Sequence, residues 1–158
     1  MLTQVSQSKA RKSQGTFAIV ASTYNARFVD AMVASAHQEF KKAGVKTVRL
    51  IRVPGAFEIP VVAARLAAAT PGWSGIVCLG VILRGQTDHA QQIANAVTAS
   101  LSQLQIQRGI PIIHEVLLLE NEEQAAVRCL GKKHNRGAEA AQTALEMERV
   151  MASISTGP

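Results

Sequence analysis

Four short apolar runs, at residues 16–22, 47–53, 75–83 and 111–119, alternate along the chain with segments whose apolar residues recur at helical spacing. That order constrains the fold more than any other feature. Strands separated by helices pair in parallel through right-handed crossovers and are covered on both faces. The first run, Thr16-Phe17-Ala18-Ile19-Val20-Ala21-Ser22, reads as a buried strand. The third, Gly75 to Leu83, is the most apolar and is expected at the centre of the sheet, whereas Thr47 to Val53 alternates apolar and basic residues. Val29, Met32, Val33, Ala36 and Phe40 mark a helix ending near Gly44, and residues 59–69 form an alanine-rich helix stopped by Thr70-Pro71-Gly72. Ile93, Val97, Leu101 and Leu104 share one face of a helix over 88–107 that closes at Gly109. Two further helices, 121–130 and 136 to about 153, follow the last strand. The pattern predicts an α/β fold: a three-layer α/β/α sandwich around a central, mainly parallel four-stranded sheet. It forms one domain over residues 16–158, preceded by a basic polar tail over 1–15.

Charge and composition narrow the partners. The net charge of +6 raises the question of nucleic acid, but the tail alone carries Lys9, Arg11 and Lys12 without an acid, which is half of the excess. Aromatic residues make up 4% of the chain, too few for a base-stacking platform. Nucleic acid is therefore not an expected partner, and a basic body equally suits an anionic small molecule. No apolar stretch approaches the roughly twenty residues a membrane span requires, and no apolar run follows the N-terminal basic residues as in a secretory signal. The two cysteines, Cys78 and Cys129, are expected as free thiols in a reducing cytoplasm.

Parallel sheets bind ligands beyond the carboxyl ends of their strands, so chemistry is sought in the loops that follow them. The third strand runs into Gly80-Val81-Ile82-Leu83-Arg84-Gly85-Gln86-Thr87. This is one residue from the phosphate-binding pattern G-x-x-x-x-G-K-[ST], with Gln86 in place of the lysine, so nucleoside triphosphate binding is not expected. Two readings of the turn stand. Gly85 lets the backbone turn closely and the amides of Gln86 and Thr87 open a helix whose positive end suits a phosphate monoester; or this is an ordinary β–α turn capped by Thr87 or Asp88. His89 sits in the first turn of that helix. A lone histidine there is often a surface group, but beside an anion site at a strand's carboxyl end it is placed to move protons. No second histidine or carboxylate at ligand spacing accompanies it, so no metal site is expected. The second strand leads into Val53-Pro54-Gly55-Ala56-Phe57-Glu58-Ile59-Pro60. Phe57 reads either as core or as a group presented to a ligand, and Glu58 either as an acid favoured by the helix dipole or as an acceptor for substrate hydroxyls. Tyr24, after the first strand, is an exposed aromatic able to stack on a flat ring.

Taken together, Tyr24-Asn25, the PGAFEIP loop, Gly80 to His89, Glu123-Gln124-Ala125 with Arg128, and Asn135-Arg136-Gly137 through Glu146-Met147 occur in the order and spacing of the lumazine synthases. The chain resembles that family from Thr16 to about Met151. The resemblance implies a flavodoxin-like fold and a cytoplasmic transferase of riboflavin biosynthesis, acting without a cofactor. The reaction it implies joins 5-amino-6-(D-ribitylamino)uracil to 3,4-dihydroxy-2-butanone 4-phosphate, giving 6,7-dimethyl-8-ribityllumazine, phosphate and water. Matching positions imply that Tyr24 stacks on the pyrimidine, that Ala56, Phe57 and Glu58 hold the ring and ribityl chain, and that Val81, Ile82 and Leu83 line the pyrimidine pocket. The amides of Gln86 and Thr87 would bind phosphate with Arg128 from a neighbouring subunit, and His89 would transfer protons. Lys132, Arg136 and Glu139 fall at charged positions near that site. The resemblance also implies a homo-oligomer, either a pentamer or an icosahedral 60-mer of pentamers, and riboflavin synthase is a candidate partner.

The departures are specific. An aromatic and an acid usually follow the histidine; here the run is Ala90-Gln91-Gln92. The fourth strand usually ends in an aromatic and a glycine; here His114-Glu115 stand there, so His114 would occupy the position that touches the substrates across the interface. Leu117-Leu118-Leu119 replaces a stretch that normally carries threonines. Two further readings follow, a non-catalytic lumazine- or flavin-binding member of the same fold and a cargo-enclosing shell protein.

Overall fold

The strands begin and end where the apolar runs do, except that β4 starts one residue later, after Pro111. In the computed structural model, which describes residues 12–155, β1 spans Thr16–Ser22, β2 Thr47–Val53, β3 Gly75–Leu83 and β4 Ile112–Leu119. All pairings are parallel, in the order β2-β1-β3-β4. The two strands with unbroken apolar runs, β1 and β3, are the central pair and are buried on both faces. β2, with its arginines, is an edge, and its residues Arg49 and Leu50 lie exposed.

Helices α1 (Ala26–Lys42) and α5 (Arg136–Ser155), with the short α4 (Glu122–Cys129), cover one face of the sheet. Helices α2 (Ile59–Ala67) and α3 (His89–Arg108) cover the other. Phe17 of β1 stacks on Phe40 of α1 with ring centroids 4.7 Å apart. The α3 helix is the least amphipathic layer element. Only Ala90, Val97, Leu101 and Leu104 are buried, and Ile106 lies open to solvent. At about 1.5–3 kcal/mol per buried large aliphatic side chain, α3 is held to the sheet more weakly than α1, which buries six residues.

The packed chain reaches back to Ser13, whose amide donates to Ala43 O at 2.8 Å and whose hydroxyl donates to Glu148. Most of the predicted basic tail, residues 1–11, lies outside the described residues. Both cysteines are buried free thiols, and burial pushes Cys78 up to about 12 and Cys129 up to about 11. Among the described residues no helix is long and apolar enough to cross a membrane.

The contact between α1 and α5 depends on Gly137. A Cβ at that position would run into the backbone carbonyl of Met32. Ala140, Ala141 and Ala144 continue the same buried small-residue face. Backbone cannot yield as a flexible side-chain end does, so Gly137→Ala is expected to cost about 1–3 kcal/mol or more. A chemical-denaturation midpoint that barely moves would show that the two helices can separate without penalty.

Candidate active site

The loops that leave β1, β2 and β3 at their carboxyl ends meet over the first turns of α3 and enclose an open cavity of about 770 Å³. That volume suits a small-molecule substrate. Its walls include Tyr24, Ala56, Phe57, Glu58, Val81, Ile82, Leu83 and His89, eight of the residues singled out in the sequence. Tyr24 and Phe57 are 66% and 61% exposed, so Phe57 is not core and both rings are available to a ligand. Asn25, Gly55, Gln92, Ile93 and Ala96 complete the lining.

Local chemistry fixes these groups. Asn25 adopts the left-handed conformation (φ 56°, ψ 41°) that asparagine tolerates better than most residues. Its side-chain amide donates to Val81 O at 2.7 Å, tying the β1 loop to the end of β3. The PGAFEIP loop forms a 3₁₀ turn over Ala56–Glu58 that runs into α2, with Pro60 in the first turn of that helix. Glu58 Oε2 accepts the Gly55 N–H at 2.8 Å. That contact holds the carboxylate in place and leaves its other oxygen free to accept from a ligand. A Cβ on Gly55 would lie 3.0 Å from both Tyr24 Cδ2 and Glu58 Oε2, so the glycine lets these two cavity groups close on the loop.

The turn over 84–89 is exposed throughout. Arg84 anchors its start: the amide donates to Leu119 O at 2.8 Å, Nε to Glu120 Oε1 at 2.9 Å, and a terminal nitrogen to Gln91 Oε1 at 2.9 Å. Asp88 makes no side-chain capping bond, and Thr87 Oγ1 accepts only a long 3.5 Å bond from the His89 amide. Among the described residues the amides of Gln86, Thr87 and Asp88 donate no hydrogen bond. The turn therefore lacks a side-chain cap, and the N-terminus of α3 is left open. The φ of Gly85 is not positive, and an added Cβ would meet nothing within 4 Å, so nothing within the chain requires a glycine there.

Gln86 and Thr87, in the turn between the lining residues Leu83 and His89, do not themselves line the cavity, and neither do two further residues named from the sequence. Arg128, on α4, is exposed and takes no hydrogen bond or ion pair among the described residues. His114 stands on β4 facing α3. Its Nδ1 accepts the Val116 N–H at 3.1 Å, which leaves the proton on Nε2 to donate to Thr98 Oγ1 at 2.8 Å. Burial lowers its pKa, in keeping with a neutral ring. Glu115 points to the opposite face, 3.8 Å from Arg136, which in turn pairs with Glu139 at 2.9 Å. Lys132 is exposed on the preceding loop.

Asn25, Gln92 and Ala96 were not named as site residues. The αL tolerance of asparagine after a strand was an available signal for the first. The other two follow only from how α3 lies across the loops.

Comparison with known proteins finds relatives over most of the chain. Residues 14–152 match the family described as 6,7-dimethyl-8-ribityllumazine synthase. A protein of that name from Stenotrophomonas maltophilia is 41% identical over 140 residues, covering 87% of this chain and 90% of its own. Its namesake from Xanthomonas euvesicatoria is 40% identical over 144 residues, covering 89% and 92%. That from Kineococcus radiotolerans is 40% identical over 143 residues, covering 89% and 88%.

Proposed function

Since the chain belongs to the 6,7-dimethyl-8-ribityllumazine synthase family, we propose that it condenses 5-amino-6-(D-ribitylamino)uracil with 3,4-dihydroxy-2-butanone 4-phosphate, releasing phosphate and water. The observation that carries this reading is the junction of an aromatic-walled cavity, a held carboxylate and an uncapped helix N-terminus at one end of the sheet. Tyr24 and Phe57 stack on or flank the pyrimidine, and Glu58 accepts from the ribityl hydroxyls. The amides of Gln86 and Thr87 take the phosphate. His89, where the cavity meets that turn, relays protons as the amine adds to the carbonyl, as phosphate leaves and as the ring closes. The steps move protons and a leaving group without net redox change, and holding two substrates together supplies much of the rate.

The site is completed by a second copy of the chain, which brings Arg128 to the phosphate and His114 to the cavity. Two observations support assembly. Arg128 makes no hydrogen bond or ion pair among the described residues, and α3 carries no charged residue from Ala90 to Gln107 although much of it is exposed. A charge-free exposed surface suits contact with another subunit. Assembly as a pentamer or as an icosahedral shell of pentamers, association with riboflavin synthase and a cytoplasmic location are parts of the same proposal.

Incubating the purified protein with both substrates tests it. Lumazine absorbance and inorganic phosphate should rise together, in equal amounts and well above the uncatalysed background. Tight binding of the product without turnover would instead favour the non-catalytic binder.

A further inference from the structure

Along β4 the residues facing α4 and α5 are Ile113, Glu115, Leu117 and Leu119, so one carboxylate interrupts an apolar row. The Glu115 side chain keeps only 16% of its exposure, yet among the described residues it accepts no hydrogen bond. Its nearest cation, Arg136, stands 3.8 Å away, beyond hydrogen-bond length, and the same nitrogen is engaged by Glu139 at 2.9 Å. A partly buried acid without a donor costs stability, so its presence calls for a use. The groups around it are Arg136 and Glu139 on α5 with Arg128 and Cys129 on α4. Arg128 is the cation in this group with neither hydrogen bond nor ion pair, and its charge acts on Glu115.

We propose that Glu115 is an internal counter-anion for Arg128 and Arg136, offsetting their charge in the empty enzyme and thereby setting how strongly this face attracts the substrate's phosphate monoester. The inference rests on the reading above that Arg128 meets the phosphate. With Glu115 ionised, an arriving dianion faces an added negative charge beside its arginine. With Glu115 protonated, both arginines present their full charge. Burial pushes the Glu115 carboxyl up to about 7, Glu139 adds to the shift, and Arg136 and Arg128 oppose it. The carboxyl is thus neutral below that value and ionised above it, and anion binding strengthens as pH falls through neutrality.

Sulfate is the probe, because its charge is constant between pH 6 and 8. Its affinity for the assembled protein is measured by calorimetry for the wild type and Glu115→Gln at both pH values. At pH 8 the variant should bind sulfate roughly three- to tenfold more tightly, the effect of removing one partly screened charge. At pH 6 the two should converge. Every ionisable group other than Glu115 is common to both proteins, so the ratio between them isolates Glu115, and a merely structural glutamate would not make that ratio depend on pH. A ratio near one at pH 8, or the same ratio at both pH values, overturns the proposal, as does the absence of sulfate binding by either protein. Turnover is measured separately. Normal condensation with a ratio near one would refute the counter-anion and leave the enzyme reading standing, whereas the predicted ratios without condensation would do the reverse.

Discussion

Replacing Arg128 with alanine is expected to raise the KM for the butanone phosphate by one to two orders of magnitude while changing that for the pyrimidine little. The reason lies in the chemistry of the phosphate. A guanidinium can grip two of its oxygens at once, and loss of such a charge-assisted pair removes about 2–3 kcal/mol, which is roughly thirty- to a hundredfold in affinity. Within its own chain Arg128 makes no hydrogen bond or ion pair among the described residues, so its removal should leave the folded subunit nearly as stable as before. Arg128→Lys keeps the charge without the fork and should fall between the two. Equal increases in KM for both substrates would place Arg128 somewhere other than on the phosphate.

Replacing His89 with alanine should lower kcat by about a hundredfold, the usual scale of a single general acid–base group. Pyrimidine affinity should be largely retained, because Tyr24, Phe57, Glu58 and Ile93 keep their places in the cavity wall. Presteady-state mixing separates the two effects: the variant should bind the pyrimidine at the wild-type rate and then convert it slowly. A loss of only a few-fold would mean that orientation of the substrates carries the reaction and that His89 has little part in moving protons.

The fold was legible because its strongest determinant is local. β1 and β3 are buried on both faces and so appear as unbroken apolar runs, while β2, at the edge, shows its arginines. Helix ends were marked where the backbone demands a particular residue, as at Gly44 and Gly109, both at positive φ. The cavity was legible for a related reason: loops at the carboxyl ends of parallel strands converge, whatever their sequence. Contacts set by packing were not legible. Nothing in the sequence of the last helix marks Gly137 as a contact until α1 is laid against it, while Gly85, expected to let the backbone turn closely, meets nothing in its own chain. The alternation along β4 sends His114 and Glu115 to opposite faces, which the sequence contained, but the contact of His114 with Thr98 depends on how α3 crosses the strand. The side chain of Asp88 adds a negative charge to the same turn whose amides are proposed to take phosphate, so the anion there needs a cation from elsewhere. That requirement gives Arg128 its proposed place.

The proposed site joins the 84–89 turn of one chain to Arg128 of another. Co-assembly of His89→Ala with Arg128→Ala chains tests it most directly, because each variant retains the half of the site that the other has lost. Random mixing in equal amounts should give sites carrying both wild-type residues about a quarter of the time, and with the butanone phosphate held well below the KM of Arg128→Ala, activity should rise to about that fraction of the wild-type value. Activity in the mixture no greater than the average of the two variants alone would contradict a site shared between chains.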